Sequence, residues 1–284
     1  MCGTCGCGSG ENGVRIQNPK DIKTHEHTHS HVDAKGHVFE HSHDGHFQEH
    51  AHTHEHEHVQ EHQHQRKIID VEKDILHHND LMAARNRGFF EAKNIFALNL
   101  VSSPGSGKTS ILERTLKDLK DTIPFFVIEG DQQTLNDANR IAAIDIPVIQ
   151  INTGKGCHLE SDTIYEAIKK LDIADQAVLM IENVGNLVCP SMFDLGESKR
   201  VVIISTTEGE DKPIKYPDMF HTSDLCIINK IDLLPYINVN LDILKQYALK
   251  VNPKLEFIEI SASTGEGMEV WYTWLKKNRN QPKN

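Results

Sequence analysis

The sequence predicts an α/β protein whose mainly parallel sheet is covered by helices on both faces, preceded by a long segment that does not pack. Three observations predict it. Apolar runs alternate with amphipathic helical patterns from residue 95 onward, the order that builds βα units. The first run, Phe96-Ala97-Leu98-Asn99-Leu100-Val101, leads into Ser102-Ser103-Pro104-Gly105-Ser106-Gly107-Lys108-Thr109, a phosphate-binding loop in the strand–turn–helix context it requires. Finally, 15 of the 19 histidines lie between His25 and His64.

Composition sets the limits. Hydrophobic residues make up 38% of 284, below the usual globular share, so part of the chain is expected outside the core. A net charge of −11 gives a nucleic-acid partner no electrostatic footprint. No apolar stretch approaches the roughly 20 residues of a membrane-spanning helix. Met1-Cys2-Gly3-Thr4-Cys5 has neither the basic nor the apolar region of an export signal. A cytoplasmic protein is expected, with no nucleic-acid or membrane partner. Three units follow: a cysteine motif at 1–10, a His-rich segment at 11–66 and a globular nucleotide-binding domain at 67–284.

In chain order, Cys2-Gly3-Thr4-Cys5-Gly6-Cys7 places three thiols within six positions. Glycine allows the backbone angles of tight chelation, and three sulfurs with the α-amino group suit square-planar Ni²⁺, with tetrahedral Zn²⁺ as the alternative. The His-rich tract carries eight acidic residues and one lysine between His25 and His64. With so few aliphatic side chains it cannot offset the entropy of ordering, so it is expected to be disordered alone. Its alternating imidazoles chelate divalent first-row metals, a pattern of capacity rather than specificity. From Asp70 to Lys93, spaced apolar residues predict one or two amphipathic helices, with His77 and His78 on the helix surface.

Strands are expected at 95–101, 125–129, 147–151, 177–182, 201–205, 225–229 and 255–260. Helices are expected at 134–144 and 159–171, with a C-terminal helix carrying Trp271, Trp274 and Leu275. In the phosphate loop, Ser103, Pro104, Gly105, Ser106, Gly107 and Ser110 supply backbone around the phosphates. Lys108 neutralises β/γ oxygens, and the Thr109 hydroxyl ligates Mg²⁺. Ser102 stands where the usual motif has its first glycine.

Asn229-Lys230-Ile231-Asp232 ends a predicted strand. Asp232 can accept from the guanine N1–H and N2–H₂ donors that adenine lacks, and Lys230 can lie along the base. Ser261-Ala262, after the last strand, matches the loop that meets guanine O6. GTP and GDP are therefore the expected nucleotides. Asp131 in Glu129-Gly130-Asp131 and Glu182 in Glu182-Asn183-Val184-Gly185 follow strands toward the phosphates. Asp131 is expected to hold Mg²⁺ or orient the attacking water, and Glu182 to support it. Cys157, His158 and Cys189 sit on loops that emerge from the same sheet edge, a donor set for Zn²⁺ or Ni²⁺. Cys226, inside an apolar strand, reads as core.

Together, Cys2-x-x-Cys5-Gly-Cys7, the His-rich insert, Pro104–Thr109, Glu129-Gly130-Asp131, Gly156-Cys157-His158-Leu159-Glu160, Glu182–Pro190 and Asn229–Asp232 closely resemble the HypB family of hydrogenase nickel-incorporation GTPases. The resemblance covers nearly the whole chain, and the cysteine-bearing loops make it specific. It implies a P-loop GTPase of the dimerising SIMIBI class, a homodimer that stores nickel. It also implies delivery of Ni²⁺, with a HypA-type accessory protein, to the [NiFe]-hydrogenase large-subunit precursor. It further implies a nickel site at Cys2, Cys5 and Cys7 and a second metal site at Cys157, His158 and Cys189 near the dimer interface. The rival readings are a urease-type accessory GTPase, a nickel-buffering protein with little GTP turnover, and a small-molecule kinase, against which Asp232 argues.

Overall fold

Seven parallel strands and one antiparallel edge strand form a single sheet in the computed structural model, which describes residues 15–17, 30–32, 38–40, 61–132 and 136–280. In chain order these are β1 (Arg15–Gln17), β4 (Phe96–Ser102), β5 (Phe125–Asp131), β6 (Val148–Asn152), β7 (Val178–Gly185), β8 (Lys199–Ser205), β9 (Leu225–Asn229) and β10 (Glu256–Glu259), while β2 (Ser30–Val32) and β3 (Val38–Glu40) pair with each other. Across the sheet the order is β1-β6-β5-β7-β4-β8-β9-β10. All seven expected runs are strands. β4 is the hinge of the topology: the chain goes from it to β5 on one flank, and β7 and β8 pair with its two edges. Open α/β sheets bind ligands at such a reversal, beyond the carboxyl ends of the strands.

Alternation along β4 sends Phe96, Leu98 and Leu100 into the core beneath α2 (Lys108–Leu119), α3 (Asn136–Ala142) and α8 (Met268–Arg279). Ala97 and Val101 face the opposite layer, as the two-residue period of a strand requires. That layer holds α1 (Glu61–Ala92), α4 (Ser161–Leu171), α5 (Lys212–Lys215), α6 (Pro217–His221) and α7 (Leu241–Val251). The expected C-terminal helix is α8. Trp271 and Leu275 are wholly buried, and Trp271 Nε1 donates to Thr115 Oγ1 at 2.8 Å, which satisfies an indole that could not otherwise be buried cheaply. Cys226 is core, as expected, and burial pushes its thiol pKa up.

Two boundaries differ from expectation. The first helix starts at Glu61 rather than near Asp70 and crosses position 67 without interruption. No Gly or Pro occurs between Glu61 and Gly88 to interrupt it, and polar helix formers extend a helix that apolar spacing alone cannot trace. Inside 11–66, β1 joins the sheet edge, pairing Arg15 with Asn152, Ile16 with Ile151 and Gln17 with Gln150. Ile16 packs on the core under α4. A three-residue strand with one apolar member carries no period-2 signal. Among the described residues, no helix is long and apolar enough to cross a membrane.

Candidate functional site

β4 ends at Ser102 and α2 begins at Lys108, so the phosphate loop is a five-residue turn at the carboxyl edge of the sheet. Gly107 caps α2 at φ 91°, and a Cβ there would lie 2.3 Å from Asn229 Nδ2. Only glycine meets both demands. Residues 102–110 line a cavity of ≈ 530 Å³ together with Glu129, Gly130, Asp131, Asp137, Arg140, Glu182, Gly185 and Lys230. The expected phosphate residues and both expected carboxylates thus meet in one space. Lys108 Nζ lies 2.8 Å from Glu182 Oε1, and Thr109 Oγ1 donates to the same oxygen at 2.6 Å. Thr109 also reaches Asp137 Oδ2 at 3.4 Å.

Glu129 stands beside Glu182 in register across β5 and β7, and both are buried. Burial first, then the Glu182 charge, pushes the Glu129 pKa up to about 9, with Lys108 opposing. Glu129 Oε2 and Glu182 Oε2 have no partner. Buried carboxylate oxygens left open beside a lysine and a threonine hydroxyl fit a hard divalent cation carrying phosphates. Sequence reasoning quoted Glu129 without assigning it and passed over Asp137 and Arg140. Asp137 lies in the first turn of α3, six residues after Asp131, where spacing alone gave no cue. Glu208 was missed too: its carboxylate accepts from Ser103 Oγ and caps the short helix Thr206–Glu208.

The residues expected at the guanine base form a second cluster on the flank of the loop. Asn229 Nδ2 donates to Ser106 O at 2.9 Å, and Asn229 Oδ1 accepts from Ala262 N at 3.1 Å. Lys230, at φ 64°, sends Nζ to Gly105 O at 2.7 Å. Ser261 Oγ accepts from Thr264 N at 3.1 Å. Asp232 Oδ1 is buried and has no hydrogen-bond partner, so an acceptor is left open there. Asp232, Asn229, Ser261 and Ala262 lie outside the phosphate cavity's lining.

On the other flank the ligand atoms of Cys157, His158 and Cys189 all lie within 4.8 Å of one another. Cys157 Sγ is 3.8 Å from His158 Nδ1. The His158 ring is buried and stacks on Phe193 with centroids 3.9 Å apart. This is the donor set the sequence anticipated, brought together by the ends of β6 and β7. Asn186 Nδ2 donates to Cys157 O at 3.4 Å, and Asn79 of α1 holds both loops, accepting from Ser161 N at 2.9 Å and donating to Asp194 O at 2.8 Å. His77 and His78 are exposed on α1, as expected. Cys2, Cys5, Cys7 and most of the His-rich tract lie outside the described residues.

The two flanks share β7. Glu182 faces the phosphate cavity, and a Cβ on Gly185 would meet Pro104 Cα at 3.3 Å, so the strand end abuts the phosphate loop. Four residues later the same strand's exit carries Cys189.

Comparison with known proteins agrees with this geometry. The family model described as CobW/HypB/UreG, nucleotide-binding domain, matches residues 96–259. The hydrogenase maturation factor HypB of Rhizobium leguminosarum bv. viciae is 58% identical over 212 residues, covering 75% of this chain and 71% of that protein. The Escherichia coli K12 HypB is 54% identical over 215 residues, covering 76% and 74%. Among solved structures, HypB of Archaeoglobus fulgidus superposes with a TM-score of 0.67 at 37% identity, covering 72% of this chain and 99% of that one. HypB of Helicobacter pylori, solved in complex with nickel, gives a TM-score of 0.67 at 38% identity, covering 72% and 98%. The chain belongs to the CobW/HypB/UreG nucleotide-binding family and, within it, to the HypB hydrogenase maturation factors.

Proposed function

We propose that this protein is a GTP-hydrolysing nickel metallochaperone. It stores Ni²⁺ and, as a homodimer acting with a HypA-type accessory protein, helps insert it into the [NiFe]-hydrogenase large-subunit precursor. The observation that carries the reading is β7: one strand end places Glu182 on Lys108 and Thr109 and leads four residues past Gly185 to Cys189. Family membership and the nickel complex of the H. pylori relative support the metal assignment.

Lys108 leaves Glu182 for the β/γ oxygens of GTP and neutralises charge there. Thr109, with Asp131 and the Glu182 carboxylate nearby, would hold Mg²⁺. The metal supplies charge stabilisation to the phosphoryl group. Either Asp131 or Glu182 orients the attacking water, since phosphoryl transfer needs positioning more than proton transfer. Asp232 takes the guanine N–H donors, and Asn229, Lys230, Ser261 and Ala262 hold the base loop against the phosphate loop. Ni²⁺ is cargo at Cys157, His158 and Cys189 and, by the sequence pattern, at Cys2, Cys5 and Cys7. The same thiolate–imidazole sets accept Zn²⁺.

Occupation of the γ-phosphate position draws Lys108 and Thr109 off Glu182. That change at β7 alters the Cys189 loop and so the affinity for nickel. The test is nickel titration of the chain carrying Cys2→Ala, Cys5→Ala and Cys7→Ala, with GDP and with a non-hydrolysable GTP analogue, read by the sulfur-to-nickel charge transfer of the remaining thiols. A shift of about five- to a hundredfold in affinity is expected. Equal affinity in the two nucleotide states removes the coupling.

A further inference from the structure

Asn99 sits in the middle of β4, flanked by Leu98 and Leu100, and it is wholly buried. An aliphatic side chain is the ordinary occupant of a central parallel strand. A buried amide is tolerated there only if its groups are paired. Both are. Asn99 Nδ2 donates to Glu197 Oε1 at 3.0 Å, and Asn99 Oδ1 accepts from Asn183 Nδ2 at 3.3 Å.

Each partner continues outward to a different metal-bearing loop. Asn183 Oδ1 accepts from Leu159 N at 3.2 Å, next to His158. On the other arm, Glu197 Oε1 takes Arg200 Nε at 3.0 Å. Arg200 Nη1 then donates to Ser191 O at 3.2 Å, and Nη2 to Phe193 O at 2.8 Å. Those carbonyls fix the turn that follows Cys189, and the Phe193 ring is the one stacked on His158. The chain of contacts therefore begins at the Cys157–His158 loop, passes through the core of β4 and ends at the Cys189 loop.

We propose that Asn99, Asn183, Glu197 and Arg200 are positioning residues that set the separation of these two loops, and hence the geometry offered to the metal. The proposal rests on the reading of Cys157, His158 and Cys189 as a metal set. Packing does not account for the amide, because leucine would fill the strand as well and leave no donor to satisfy. The relay has a partner on the outside: Asn79 ties Ser161 to Asp194 independently. Breaking the inner tie therefore loosens the ligand spacing without separating the loops.

The test uses the full chain carrying Cys2→Ala, Cys5→Ala and Cys7→Ala, so that the sulfur-to-nickel band reports Cys157 and Cys189, Cys226 being wholly buried. Ni²⁺ is the probe, titrated against a competing chelator. Asn99→Leu in this background is expected to weaken nickel binding by about ten- to a hundredfold and to move the band, while GDP affinity stays within about twofold. An unmoved band with unchanged nickel affinity overturns the proposal. So does an equal loss of GDP affinity, which marks general loosening of β4. If Asn99→Leu does not fold, Glu197→Gln, which removes the charge that Arg200 meets, is judged by the same two readouts. Absence of any sulfur-to-nickel band in the parent with Asn99 intact overturns the metal assignment itself, and this proposal with it.

Discussion

Lys108 and Glu182 form a buried ion pair in the cavity behind the phosphate loop, and their burial makes two effects separable. Their side chains are 10% and 1% exposed. Lys108→Ala is expected to lower GTP turnover by at least about a hundredfold, measured as phosphate release, because it removes a charge aimed at the transferring group. It also leaves Glu182 buried without its cation. Urea unfolding of the nucleotide-free variant should show a loss of about 3 kcal/mol or more. Glu129 gives a pH dependence. Its folded-state pKa is raised from 4.5 to about 9, so between these values the folded chain holds a proton that the unfolded chain releases. Stability is fully present below the lower value and falls as pH rises toward the upper one. Glu129→Gln should flatten that fall, and comparison of urea midpoints at about pH 6 and about pH 8.5 measures it. An equal fall in both proteins overturns the assignment. Asp131 and Glu182 were legible because each ends an apolar run pointing at the loop. Asp137 was not, because only the fold of α3 brings it to Thr109.

At the scale of elements, the phosphate loop depends on a neighbour distant in sequence. Asn229 donates to Ser106 O and fills the space where a Cβ on Gly107 would stand. Gly107→Ala should therefore weaken both phosphate and guanine contacts. Fluorescent GDP titration is expected to show a loss of about five- to thirtyfold, from about 1–2 kcal/mol of left-handed strain that the free loop can relax and the bound loop cannot. The α8–α2 contact gives a cleaner stability test: Thr115→Val leaves the Trp271 indole buried without its acceptor. A cost of about 1–3 kcal/mol in urea unfolding is expected, with GDP affinity unchanged. The strands were readable because a parallel sheet covered on both faces demands continuous apolar runs. The start of α1 and the strand β1 were not, because their signals are polar helix formers and a single isoleucine. Asn99 was visible as an exception in its run, but only its hydrogen bonds give the exception a purpose.

For the whole molecule, the doubly wound sheet gathers what the sequence keeps apart. The phosphate loop follows β4, Asp131 and Glu182 lie toward the ends of β5 and β7, the thiol loops leave β6 and β7, and the residues expected at the base lie at or beyond the ends of β9 and β10. A parallel sheet places all these strand ends on one edge, so the motifs implied proximity as soon as the fold class was known. Spacing could not give the 4.8 Å convergence of Cys157, His158 and Cys189, which depends on tertiary ties such as Asn79. Edge strand β1 adds a constraint of another kind. Its first residue, Arg15, pairs with Asn152 at the end of β6, five residues before Cys157. The strand that leads into the Cys157 loop is therefore paired on both of its edges, by β1 and by β5, so peeling β1 away would free one backbone edge of that strand without touching a thiol or an imidazole.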